Sequence, residues 1–209
     1  MENIKNKFLK GLVFMFSILA PQFIQAQNIQ PERNDTIYLM PKTKFDSIKV
    51  KNQLLNGKAT IKGTAYTKPP AMQRVIGKNN KILAQHVKIT LFPMNEYFEE
   101  YLNLKKEQNV KKLKFAFMSN VAFYYRLECI TNNAGEFTFS HLMPGKYYLE
   151  TTIDWSQNRS YNKYVGSGSS NYGTTDYYSK QTYTEQHGDY LKGIVEVKND
   201  GETIEFNLK

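Results

Sequence analysis

The chain has 209 residues and a formal charge of +9, from 28 Lys and Arg against 19 Asp and Glu. That length suffices for one domain with its own core, and the single cysteine, Cys129, excludes an intramolecular disulfide, so stability must come from burial. The basic excess is compatible with an anionic surface such as lipid headgroups or acidic glycans, simple solubility being the plainer reading; no nucleic-acid partner is expected.

Residues 1–26 read as a secretory signal peptide. Lys5, Lys7 and Lys10 make a basic start, Gly11 to Ala20 is apolar apart from Ser17, and Gln25-Ala26-Gln27 offers a small-residue cleavage site. The apolar run is short for a bilayer span, so no stable membrane span is expected once it is cut. Ile24 is an unusual residue before the cut, which leaves an uncleaved anchor as the alternative.

Residues 27–56 read as an N-terminal arm. Gln27 to Lys44 is polar, with Pro31, Pro41 and a brief Ile37-Tyr38-Leu39-Met40 patch, and suggests a flexible segment that packs loosely. Asp46 or Ser47 can cap a short helix through Leu55, with Ile48 and Leu54 or Leu55 inward and Asn56-Gly57 as the stop.

Residues 57–209 carry the domain. Ala59, Ile61, Gly63 and Ala65 alternate with Thr60, Lys62 and Thr64 in a first strand, and Val87, Ile89 and Leu91 define a second that Pro93 ends. An insert at about 94–125 follows. Met94, Tyr97, Phe98, Tyr101 and Leu102 recur at three and four, which predicts an amphipathic helix with Glu96, Glu99 and Glu100 early and Lys105 and Lys106 late. A second short helix fits Asn120 to Tyr125, and Arg126 to Thr131 reads as a strand with Cys129 as a small buried hydrophobe.

The densest signal is Thr131-Asn132-Asn133-Ala134-Gly135 followed by Phe137, Phe139, Pro144-Gly145, Tyr147 and Leu149. Gly135 favours a tight hairpin, Phe137 and Phe139 share one strand face, and Pro144-Gly145 makes a turn. After it Tyr147, Leu149, Thr151 and Ile153 fall on one side and Tyr148, Glu150, Thr152 and Asp154 on the other. Ser156 to Gly188 reads as a long loop rich in Tyr, Ser, Gly, Asn and Thr. Two strands, Tyr190 to Lys198 and Thr203 to Leu208, close the domain as a hairpin through Asn199-Asp200-Gly201.

This pattern resembles the carboxypeptidase regulatory-like domain family, whose T-D-x-x-G-x-F-x-F-x-x-L-x-P-G-x-Y-x-L run has Asn132 here in place of the aspartate. The resemblance implies a mainly β, transthyretin-like (Ig-like) β-sandwich of about seven strands, and a noncatalytic domain.

No catalytic constellation emerges beside it. His86, His141 and His187 lack the His-x-x-Glu pairing of a zinc carboxypeptidase, Gly166-Ser167-Gly168-Ser169-Ser170 lacks the nucleophile-elbow spacing, and no glycine motif cradles a phosphate. No enzyme activity, metal or cofactor is therefore expected. Trp155, Tyr161, Tyr164, Tyr172, Tyr177, Tyr178 and Tyr183 are the candidate binding residues, because tyrosine gives rigid contact area with a polar tip. The same tyrosines would equally serve as a cover over the sheet. The expected role is binding, assembly or structural support at the cell envelope, with an envelope protein or a glycan as partner. The alternative is a carbohydrate-binding module built on Trp155 and the tyrosines; oligomeric state stays open.

Overall fold

The computed structural model describes residues 35–209 except 72, 73 and 75. The signal-peptide reading, and the arm before residue 35, lie outside the described residues. In chain order the elements are β1 (Ile37–Leu39), α1 (Ser47–Leu55), β2 (Ala59–Thr64), β3 (Tyr66–Thr67), β4 (Ile82–Leu83), β5 (Lys88–Pro93) and α2 (Glu96–Lys106). After a 3-10 turn at Val110–Lys112 come β6 (Lys114–Ala116), α3 (Asn120–Tyr124), β7 (Leu127–Ile130), β8 (Glu136–Leu142), β9 (Gly145–Ser170), β10 (Gly173–Val197) and β11 (Thr203–Glu205).

Two sheets carry the core, one of four strands in the order β10-β9-β5-β7 and one of three in the order β11-β2-β8. Their apolar positions interlock: Ile61, Phe137, Phe139 and Leu142 from the second meet Ile89, Leu91, Tyr147, Leu149 and Ile153 from the first in one cluster. Period-2 alternation puts all of these except Leu142 on the inner faces, and an extra residue in the ladder beside His141, at φ 61°, brings Leu142 to the same side; burying them supplies the main driving force. Val50 and Leu54 of α1 join the same cluster. Asp46 caps that helix by accepting from the Lys49 N–H at 3.0 Å. The inward residues are Val50 and Leu54; of the two alternatives Leu54 and Leu55 it is Leu54 that is buried, whereas Ile48, expected inside, is exposed. The helix meets the body along the Val50–Leu54 stripe, which turns Ile48 away from it.

The connections depart from the expected hairpins. Gly135, at φ 71°, turns the chain from β7 in one sheet to β8 in the other rather than between paired neighbours. Asn132 Oδ1 accepts from the Ala134 and Glu136 N–H groups, each at 2.9 Å, so asparagine supplies the turn's acceptor where the resembled pattern has aspartate. Pro144-Gly145 likewise carries the chain from β8 back to β9 across the sandwich. The closing pair is also not a hairpin. After Asp200-Gly201 the chain leaves β10, and β11 pairs in parallel with β2, Thr203 opposite Thr60. Asp200 Oδ1 instead accepts the Lys58 N–H at 2.7 Å, which steers the turn toward the free edge of β2.

Within the Ile37-Tyr38-Leu39-Met40 patch, read as part of a loosely packed arm, Ile37–Leu39 form β1, which pairs in parallel with β6 of the insert. Glu100 of α2 fastens the segment just after it by accepting the Lys42 and Thr43 N–H groups at 3.0 and 2.9 Å. Those backbone bonds hold the Glu100 carboxyl below its usual value. A depressed carboxyl contributes above the ordinary glutamate range and stops contributing as pH falls through its folded-state value. The Lys42 and Thr43 amide NMR shifts should therefore be constant at neutral pH and move together on acidification below the ordinary glutamate range; Glu100→Gln should remove that step. Amides that ignore pH in the parent chain would refute the tether.

Helix α2 begins at Asn95, whose side chain accepts from the Phe98 N–H at 2.8 Å. It lies on the outer face of the four-stranded sheet. Phe98 stacks on Phe92 of β5 at 4.9 Å and tilts against Tyr148 of β9 at 5.5 Å, with Met94, Tyr101, Leu102 and Met118 around them. The expected helical stripe is the one that packs.

Candidate functional site

The segment read as a loop from Ser156 to Gly188 is a two-stranded antiparallel ribbon, the outer part of β9 and β10. β5 pairs with β9 only from Tyr147 to Glu150, so the ribbon runs on past the sandwich without a third strand. From Ser156 to the Asn171-Tyr172 turn it reaches about 50 Å at roughly 3.3 Å per residue. Alternating hydrophobicity is missing because both faces meet solvent, and that absence made the segment look structureless. The signal that could have revealed it is β-propensity, since Thr174, Thr175, Tyr177, Tyr178, Thr182, Tyr183 and Thr184 crowd one strand.

Register places the tyrosines. Tyr161 and Tyr183 meet edge-to-face at 6.2 Å on one side of the ribbon, and Tyr164 and Tyr178 at 5.7 Å on the other. Val165 is the extra residue of a bulge between these pairs, because Tyr177 faces Gly166 while Tyr178 faces Tyr164. Tyr177 packs its ring near Gly168, and Tyr172 stands fully exposed at the tip. None of these side chains folds back to cover the sheet.

Trp155 is not gathered with them. It sits at the ribbon's root, stacked on His187 at 4.1 Å and packed against the main core. Its Nε1–H donates to Asp189 Oδ2 at 2.8 Å, and Thr67 Oγ1 donates to the same oxygen at 2.8 Å. The indole thus fastens the ribbon to the body. His86 lies in a turn and His141 near the end of β8, both at positive φ and neither beside Trp155 in sequence. Among the described residues no group of three or more His, Cys, Asp or Glu is placed to hold a metal ion. Cys129 is partly buried beside the core, and burial pushes its thiol up to about 11, the behaviour of a packing residue rather than a nucleophile.

A second feature was not visible in the sequence. Helix α2 covers β5 and β9 but leaves the outer face of β10 open, and between them lies a cleft of about 810 Å³. Its floor holds a four-group network. Lys105 Nζ pairs with Glu150 Oε2 at 3.1 Å and donates to the Tyr190 hydroxyl at 2.8 Å, while the Tyr148 and Tyr190 hydroxyls are 2.9 Å apart and Tyr190 also bonds Glu150. Burial, with the neighbouring Glu150 charge adding to it, pushes the Tyr148 phenol up to about 12. Burial and the bond to Glu150 raise Tyr190 as well. Both phenols therefore remain protonated donors at neutral pH, and the four groups satisfy one another.

No protein-family model matches the chain, and no curated protein matches it. A solved structure does: a candidate carbohydrate-binding protein from Pseudomonas aeruginosa superposes with a TM-score of 0.50 at 17% identity, over 79% of this chain and 97% of that one. The likeness is one of fold. It accords with the mainly β architecture of stacked sheets described above, and the ribbon and the cleft are argued from this chain's own residues. Among the described residues no helix is long and apolar enough to cross a membrane.

Proposed function

We propose that this protein is an exported, noncatalytic binding module that works at the cell envelope, and that the 156–186 ribbon is the element it offers to a protein partner. One observation carries the reading. Tyr161, Tyr164, Tyr177, Tyr178 and Tyr183 are each between 51% and 59% exposed on a ribbon that has no second layer. An isolated two-stranded hairpin is marginal in water, so a ribbon this long is best accounted for by a surface that covers it. Two faces of about 50 by 10 Å offer roughly 1,000 Å², more than the ~800 Å² that one partner contributes to a standard interface. Tyr, Ser, Gly and Asn are also the residues that adaptable protein-binding surfaces favour.

Export rests on the leader-like residues 1–26. Membership of the carboxypeptidase regulatory-like family, with its transthyretin-like sandwich, is supported by the Phe137, Phe139, Pro144-Gly145, Tyr147 and Leu149 pattern and by the facing sheets it builds. A carbohydrate platform of Trp155 with the tyrosines has less support, since the indole is covered by His187 and the tyrosines divide between two faces.

The test is to join Gln157 to Glu185 through Asn-Gly, which removes the outer ribbon with a two-residue turn suited to hairpins. The shortened protein should melt within a few degrees of the parent, because the core residues are untouched. A photo-crosslinker at Tyr178 of the full chain, irradiated in intact cells, should give one defined protein adduct. Crosslinking confined to positions on the sandwich, with none at Tyr178 or Tyr172, would overturn the assignment.

A further inference from the structure

We propose that the cleft between α2 and β10 is a second binding site, separate from the ribbon, and that it takes a sugar bearing a carboxylate. The site is shaped before any ligand arrives. Tyr190 is held by bonds to Tyr148, Glu150 and Lys105, and the Lys105 ammonium also lies 4.9 Å from its ring centroid. Preorganisation of this kind lowers the ordering cost of binding. A volume of about 810 Å³ lies within the range of small-molecule sites.

The chemistry of the lining is mixed in the way a sugar requires. A pyranose has apolar C–H faces and a rim of hydroxyls. Tyr190 and Ile194 of β10, 46% and 53% exposed, supply an apolar floor, and Leu102 of α2 an apolar wall. Asn103 and Glu99 line the same cleft and can bond hydroxyls.

Charge selects the acidic sugar. Three lysines, Lys105, Lys106 and Lys192, line the cleft against the single carboxylate of Glu99. Glu150 beneath the floor is already neutralised by Lys105 and Tyr190. Lys106 Nζ bonds only the neutral Asn103 side chain, at 2.9 Å, and Lys192 has no carboxylate within ion-pair distance, its ammonium lying 6.0 Å from the Tyr190 ring. Two lysines thus line the space without an ion-pair partner among the described residues. A uronate satisfies the cations and the apolar floor together; a neutral sugar satisfies only the floor, and a simple inorganic anion only the cations.

The experiment uses the full mature chain and three probes, a galacturonate tetramer, its methyl ester and inorganic sulfate, followed by calorimetry and by NMR. The tetramer should bind, shift the amides of Asn103, Tyr190, Lys192 and Ile194, and weaken as salt rises. The methyl ester and sulfate should each bind at least tenfold more weakly. Lys192→Glu changes an exposed side chain, so it should keep the parent melting temperature while lowering tetramer affinity at least tenfold. The ribbon-shortened protein should bind as the parent does, which separates this site from the reading above. No binding, shifts confined to the ribbon, an ester or sulfate as tight as the acid, or indifference to Lys192→Glu would each overturn the proposal.

Discussion

Gly63→Ala should unfold or nearly unfold the protein, a loss of about 4 kcal/mol or more in urea denaturation, at the diagnostic end of single-residue effects. A Cβ at this position would sit 1.7 Å from the Phe206 carbonyl oxygen and 2.7 Å from its carbon. Those are backbone atoms, so no side-chain rotation relieves the clash. The strand that would have to move is held by three bonds: Phe206 N–H to Lys62 O at 2.9 Å, Leu208 N–H to Thr64 O at 3.0 Å and Tyr66 N–H to Leu208 O at 3.0 Å. Moving it also pulls Leu208, fully buried, out of the core. Gly188→Ala is the matched control. Its Cβ would meet only an Asp154 side-chain oxygen, at 3.2 Å, and the change should be worth less than about 1 kcal/mol. Equal stabilities for the two variants would show that the close approach of β2 to residue 206 is wrong.

Phe98→Ala should cost about 3–5 kcal/mol, the usual range for a buried phenylalanine, but with a different signature. Phe98 belongs to a small cluster with Phe92 and Tyr148 on the outer side of the four-stranded sheet, apart from the main core. Its removal should free α2 while leaving the facing sheets packed. Amide exchange should accelerate through Glu96–Lys106 and remain slow at Ile61, Leu91 and Leu149. The cleft should then vanish with its helical wall. Uniform acceleration over all these amides would show that the insert and the sandwich form one cooperative unit.

The core was largely legible because it is written as period-2 alternation. Ile61, Ile89, Leu91, Phe137, Phe139, Tyr147 and Leu149 are buried where the pattern puts them, and the Met94 to Leu102 stripe faces the sheet as a helix should. Pairing partners were not legible. Gly135 and Asp200-Gly201 are turn signals, but a turn signal does not say which sheet the next strand joins, and both lead across the sandwich. The ribbon hid because alternation needs one buried face. The cleft hid because Lys105, Glu150 and Tyr190 come from three elements, and strand alternation alone assigns Glu150 and Tyr148 to solvent; only the helix laid over them gives that face a floor and a wall. For the tyrosines, sequence identified a cluster but not that register would divide it between two faces.

The parallel pairing of β11 with β2 has a kinetic meaning. Strand β2 sits between β8 and β11 in its sheet, and the partner on one flank lies about 140 residues away along the chain. Closing a loop of that length costs on the order of 4 kcal/mol in chain entropy, before Thr203, Ile204 and Glu205 return any of it. Folding should therefore be slow, on the millisecond-to-second scale of proteins dominated by distant pairings, with the flank of β2 that receives β11 left open until the final step.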